Sequence, residues 1–194
     1  MEIGKTLYVK DRGKWRRWLE KNHLKEPEIW LIYYRKNSGK PRVPYNDAIE
    51  EALCFGWIDS IAKPIDDISW AQRFTPRRKG SKLSELNKER VRRLIKAKKM
   101  TQAGLERIKH ELHHDPSKSG KKPKLKKFVM PEDILKELKK DPAVWKNFQK
   151  FSQTYKHIRV AWIAGSRRRP EVFKKRLTYF IKMTAKNKKF GMVQ

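Results

Sequence analysis

Residues 28–36, EIWLIYYRK, constrain this chain more than any other stretch. Pro27 breaks the backbone just before them, and the β-branched and aromatic residues that follow compose a strand. Successive strand side chains point to opposite faces, so Trp30, Ile32 and Tyr34 share one side and Leu31 and Tyr33 the other. Both sides are apolar. Such a strand belongs in the centre of its sheet, covered by elements from elsewhere in the chain.

Those elements can be read on either side of it. Asp11 can cap a helix that places Trp15, Trp18, Leu19 and Asn22 on one side. SGKPR reads as a turn. YNDAIEEALCFG reads as a helix with Asn46 or Asp47 as cap, Ala48, Ile49, Ala52 and Leu53 as buried stripe, and Gly56 as terminator. Two short strands follow, near Ile58–Ile65 and Ile68–Phe74. Pro76 is a poor central-strand residue, so the sheet is expected to end near Phe74, with Arg77 and Arg78 projecting from a loop.

Helical signals then take over. Ser84 caps a helix carrying Leu86, Val91, Leu94 and Ile95, and Thr101 caps another through about His113. Residues 115–128, DPSKSGKKPKLKKF, read as a lysine-rich linker. Three further helices are expected, with Pro131 as a first helical residue, Asp141-Pro142 as a second start, and Pro170 with Glu171 opening the last. Val172, Phe173, Leu177, Phe180, Ile181 and Thr184 form the last helix's inward stripe. The fold class is therefore α+β. A small sheet packed by helices occupies residues 1–114, a basic linker 115–128, and a helical segment 129–194.

Charge bears on function through its position. Residues 1–70 hold 13 basic and 11 acidic side chains, whereas residues 71–194 hold 37 and 10. Nearly all of the net +29 therefore begins at the arginine run RFTPRR. An excess of this size repels itself in the folded state and suits a polyanionic partner, although lysine-rich surfaces also arise as an adaptation for solubility or heat. The single cysteine, Cys54, excludes an intramolecular disulfide. With no signal-peptide pattern at the N-terminus and no run of about 20 apolar residues, no integral membrane association is expected, and the expected location is cytoplasmic.

Catalytic and metal chemistry find little support. Cys54 lies between Leu53 and Phe55 late in a helix, with no histidine close in sequence to activate a thiolate. His110 and His114 share a helix face but have no third ligand in view. No phosphate loop or dinucleotide fingerprint is present, so neither metal nor cofactor is expected. The arginine run is more suggestive. Arg73, Arg77 and Arg78 bracket Pro76, and Ser81, Ser84 and Asn87 bring hydroxyls and an amide to a helix start, a combination suited to phosphate or carboxylate. The plain alternative pairs Arg73 with Asp59 or Asp67 and leaves Ser84 as a cap. Lys121, Lys122 and Lys124 of the linker, with Arg167, Arg168 and Arg169, can track a phosphate backbone; a solvated helix junction accounts for the arginine triplet equally well.

Several stretches resemble a known family. WRRWLEKNH, EIWLIYYRK, EALCFGWIDS, RFTPRRKGSKLSELNKERV and MTQAGLERI, with the closing FSQTYKHIRVAWIAGSRRRPEVFKKRL, follow the pattern of the YdeI/OmpD-associated or bacteriocin-protection proteins across nearly the whole chain. ALCFGWID followed by RFTPRR is the most specific part. Leu83 stands where that pattern has tryptophan, and Val172 and Phe173 where it has threonine and arginine. The resemblance implies stress or antibacterial-peptide resistance and attaches no reaction. The preferred reading is a non-enzymatic binder of polyanions, nucleic acid above all, with little sequence preference. Two other classes stay open: a protein-interaction module in bacteriocin protection, and an enzyme on a small anionic substrate held by residues 73–87.

Overall fold

The computed structural model describes residues 2–112 and 129–191. They belong to two compact units, residues 1–82 with 90–125, and residues 83–89 with 126–194.

The first unit is built on a four-stranded sheet in the order β1-β2-β4-β3, from β1 (Thr6–Leu7), β2 (Ile29–Tyr34), β3 (Trp57–Asp66) and β4 (Ser69–Pro76). β1 pairs parallel to β2 and the other pairings are antiparallel. β2 is interior, as its composition requires, but its two faces differ. Ile29, Leu31 and Tyr33 are buried, whereas on the other face Trp30 alone is buried and Ile32 and Tyr34 are half-exposed. A largely antiparallel sheet can leave one face partly wet. The buried face meets α1 (Arg12–Asn22), where Trp15 packs 5.4 Å from Phe74 and Trp18 lies 5.9 Å from Trp57.

α2 (Tyr45–Cys54) lies against α1, and the Trp15 indole donates to the Ala48 carbonyl at 3.0 Å. Neither Asn46 nor Asp47 caps it; Pro44 takes the cap position and Tyr45 begins the helix. The predicted stripe is buried, and so is Glu51. Gly56, at φ +74°, turns the chain into β3 as expected.

β4 does not stop at Phe74. Its pairing with β2 ends at Ile29↔Phe74, but its pairing with β3 continues to Trp57↔Pro76. Pro76 thus has a strand on one side only, the setting in which proline is tolerated. α3 (Glu85–Lys96) follows Ser84, and α4 (Gln102–Ile108) follows Thr101, ending earlier than predicted in a 3-10 turn, Lys109–Glu111.

In the second unit α5 (Glu132–Lys139), α6 (Pro142–Lys150), α7 (Gln153–Ala164) and α8 (Pro170–Ala185) enclose Ile134, Leu138, Val144, Phe148, Tyr155, Ile158 and Phe180. Among the described residues from 129 on, four helices stand where three were expected. α7 is the addition, its start capped by Ser152 Oγ accepting from the Tyr155 amide at 3.3 Å. Pro131 is the cap residue of α5 rather than its first helical residue, while Pro142 and Pro170 open α6 and α8 as predicted.

Candidate functional site

The arginine run is divided by burial. Arg73 pairs with Glu28, its Nε donating at 2.8 Å, and not with Asp59 or Asp67. Asp59 instead accepts from the Tyr45 hydroxyl at 2.5 Å. Arg77 is buried at 5% exposure, because its Nη2 turns inward to the Ser81 carbonyl (2.9 Å), Ser81 Oγ (3.1 Å) and the Lys82 carbonyl (3.2 Å). Burial lowers its pKa, and buried Glu111 opposes that shift. Arg77 therefore does not project as expected: the loop needs a buried donor to close around, and only Arg78 reaches solvent.

Asp59, Arg73 and Ser81 thus each serve a different partner, and the convergence that an enclosed catalytic site requires is not formed by them. Ser84 and Asn87 belong to the second unit. There Ser84 Oγ accepts from the Asn87 amide at 3.2 Å, an ordinary helix cap. Cys54 is fully buried, and burial pushes its thiol up to about 11, with Arg16 pulling the other way. It packs as a small hydrophobe. His110 Nε2 lies 3.1 Å from the Ser81 carbonyl. His114, Lys121, Lys122 and Lys124 lie outside the described residues.

This division yields a direct test. Arg77→Ala is expected to cost the first unit about 1–3 kcal/mol, because it removes the buried donor that ties the Ser81 and Lys82 carbonyls together, whereas Arg78→Ala stays within about 0.5 kcal/mol. Urea midpoints of the two variants measure the difference. Equal midpoints would show that Arg77 does not hold its loop closed.

The second unit presents a different surface. Residues 129–194 hold 17 lysines and arginines against five carboxylates. Three of those five are engaged: Asp133 with Arg167 at 2.7 Å, Glu137 with Lys140 at 2.7 Å, and Asp141 as the cap of α6. Most of the cationic excess therefore has no internal counterion. Arg168 and Arg169 are exposed, and Arg169, the cap residue of α8, makes no capping bond with its side chain.

Beyond them, Glu171, Val172, Lys174, Lys175, Thr178, Tyr179 and Lys182 line an open groove of about 550 Å³ along the outer face of α8. Val172 was expected to face inward; Phe173, Leu177 and Ile181 pack against the core without it. At the inner edge, Arg176 stacks 4.4 Å above Trp162 and donates to its carbonyl at 2.6 Å. Arg159, 7% exposed, lies 5.0 Å from Phe190, 5.7 Å from Tyr155 and 5.8 Å from Trp162. Of these residues, Arg159, Lys174, Lys175, Arg176, Thr178, Tyr179 and Lys182 were not singled out from the sequence. The three- and four-residue spacing of Glu171, Lys174, Lys175, Thr178 and Lys182 was the available signal.

Among the described residues no group of three His, Cys, Asp or Glu could hold a metal ion, and no helix is long and apolar enough to cross a membrane. What the fold defines is a small α+β unit joined in sequence to a helical unit whose last helix carries a basic outer face. Residues 7–107 match a family described as a domain of unknown function (DUF8412), and residues 127–187 match the one described as bacteriocin-protection, YdeI or OmpD-associated. The chain belongs to the first of these families, whose match spans more than half of it, and its closing helices carry the YdeI/OmpD-associated segment. The stretches ALCFGWID and RFTPRR fall within the first match, so the second rests on the C-terminal helices. No curated protein and no solved structure matches the chain.

Proposed function

We propose that this protein is a cytoplasmic, non-enzymatic binder of polyanions, with nucleic acid of little sequence preference as the principal ligand. The observation that carries the reading is the groove on α8, where Lys174, Lys175 and Lys182 share one face in a unit too poor in carboxylates to neutralise them. Exposed lysines of this kind contact phosphates as point charges and read no bases. Arg168 and Arg169 extend the positive surface at the start of the same helix, and the linker lysines add to it in sequence.

Binding of this type follows counterion release, so affinity should fall steeply and log-linearly with salt. Converting Lys174, Lys175 and Lys182 to alanine should reduce the slope of log K against log salt by roughly 2–3 and weaken all sequences alike. A variant with an unchanged slope would place the contact elsewhere. Failure of the native protein to bind DNA or RNA at low salt would remove the reading.

The match of residues 127–187 favours a second reading, a protein-interaction module in bacteriocin protection. A chain of net charge +29 repels cationic peptides, so protection through it would run through an acidic partner and not through direct capture of such a peptide. Loss of bacteriocin protection on deletion, with no binding of nucleic acid by the purified protein, is the result that would favour this second reading.

A further inference from the structure

Among the residues of the α8 groove that lysine-to-phosphate contacts do not explain is an aromatic one, Tyr179. Among the described residues with large exposed hydrophobic side chains, Tyr179 is the sole aromatic, with 46% of its surface in solvent. A tyrosine exposed singly on a surface is ordinary; what marks this one is its setting among the lysines of the groove. The ring is also held in place. Phe190 meets it in an edge-to-face contact at 4.8 Å, with the planes 76° apart, and Phe190 is itself fixed by its amide donating to the Tyr155 hydroxyl at 3.1 Å.

Lys175 lies four residues before Tyr179 and Lys182 three residues after it, so both are its neighbours on the helix surface. A fixed, exposed ring bracketed by cations is the arrangement used on single strands, where the ring receives the π-face of a base and the flanking cations take the phosphates.

We propose that Tyr179 is a stacking platform for an unpaired base, and that the ligand of the α8 groove is single-stranded nucleic acid. The proposal rests on the polyanion reading above and narrows it. In a duplex the base faces are stacked on one another, so the ring has nothing to receive there and only the lysine contacts remain. Electrostatics alone would favour the duplex, whose charge density is the higher. A preference for single strands therefore reports the ring and not the charge.

The experiment uses the full chain, with fluorescence anisotropy at low salt on labelled poly(dT) and on a mixed-sequence duplex of equal length. The native protein should bind the single strand more tightly than the duplex, and Tyr179→Ala should weaken the single-strand complex by about 5- to 150-fold, the equivalent of one stacked base. Tyr179→Ala should lose that preference with an unchanged salt slope, and Tyr179→Phe, which keeps the ring, should retain it. Equal affinity of the native protein for both ligands, or an unaltered preference in Tyr179→Ala, would overturn the proposal while leaving the polyanion reading in place. Binding of neither ligand would end both. Because Tyr179 is exposed, the alanine variant is expected to fold, which its circular dichroism checks.

Discussion

Replacing Gly104 by alanine should destabilise the first unit by about 3 kcal/mol or more, at the upper end of overpacking costs. A Cβ at this position would stand 2.1 Å from the Cys54 carbonyl oxygen, 2.8 Å from its carbon and 3.0 Å from the Leu53 oxygen. All three are backbone atoms at the end of α2 and cannot swing aside as a side chain would. The approach is close because α4 begins on that same carbonyl. The Thr101 amide donates to Cys54 O at 3.1 Å and the Thr101 hydroxyl at 2.6 Å, while Thr101 Oγ1 also accepts from the Gly104 amide at 3.2 Å. Admitting a methyl group means lifting α4 off α2 and breaking both bonds to Cys54. The gain in helix propensity from Gly to Ala, about 1 kcal/mol, does not offset that. Five of the seven tryptophans lie in residues 1–70, so tryptophan fluorescence in a urea titration chiefly follows the affected unit. An unchanged midpoint would show that the two helices separate freely.

The cap at Thr101 was legible in the sequence, but the demand on Gly104 was not, since it arises between helices distant in the chain. The same distinction runs through the fold. β2, Asp11, Asp141-Pro142 and Pro170 are local signals, and the structure uses each as predicted. β1 is two residues long and has no periodicity to read. α7 was hidden because only Phe151 and Ser152 separate it from α6, and because Lys156 and Arg159 are buried where a stripe of hydrophobics would be sought.

The candidate site follows the same logic. Composition located the cationic excess but not which arginines are spent on the fold. Arg73 is taken by Glu28, Arg77 by its own loop and Arg167 by Asp133. Open cations include Lys175 and Lys182 of α8, which flank a tyrosine; inspected alone, that stretch reads as the solvated side of a helix. Three-dimensional exposure, above all that of Tyr179, is what the proposed binding face rests on.

Glu51→Ala is the second large effect expected, a loss of about 1–3 kcal/mol from the first unit, since it takes a buried acceptor from two part-buried guanidiniums. Glu51 is 2% exposed, although it sits beside the apolar stripe of α2. Two guanidiniums of α1 reach it: Arg12 Nε at 2.5 Å on one carboxylate oxygen and Arg16 Nη1 at 2.7 Å on the other. Asp47 and Glu50 hold Arg12 from the same helix at 3.1 and 3.0 Å, but each is itself in partial contact with water. Alanine removes the buried anion and leaves Arg16 facing the space it occupied, with only the exposed Glu20 at 3.2 Å as counterion. Glu51→Gln keeps the shape and an acceptor, so its loss should be the smaller of the two. The comparison that isolates charge from packing is the triple replacement of Arg12, Arg16 and Glu51 by hydrophobic residues of similar volume. Swapping a whole buried network is often neutral or better, so this variant should recover most of what Glu51→Ala loses. Urea midpoints rank the three. If Glu51→Ala matches the native protein, solvent reaches the two arginines freely, and the α1–α2 contact is held by the apolar pairs around Trp15 and Ala48 alone.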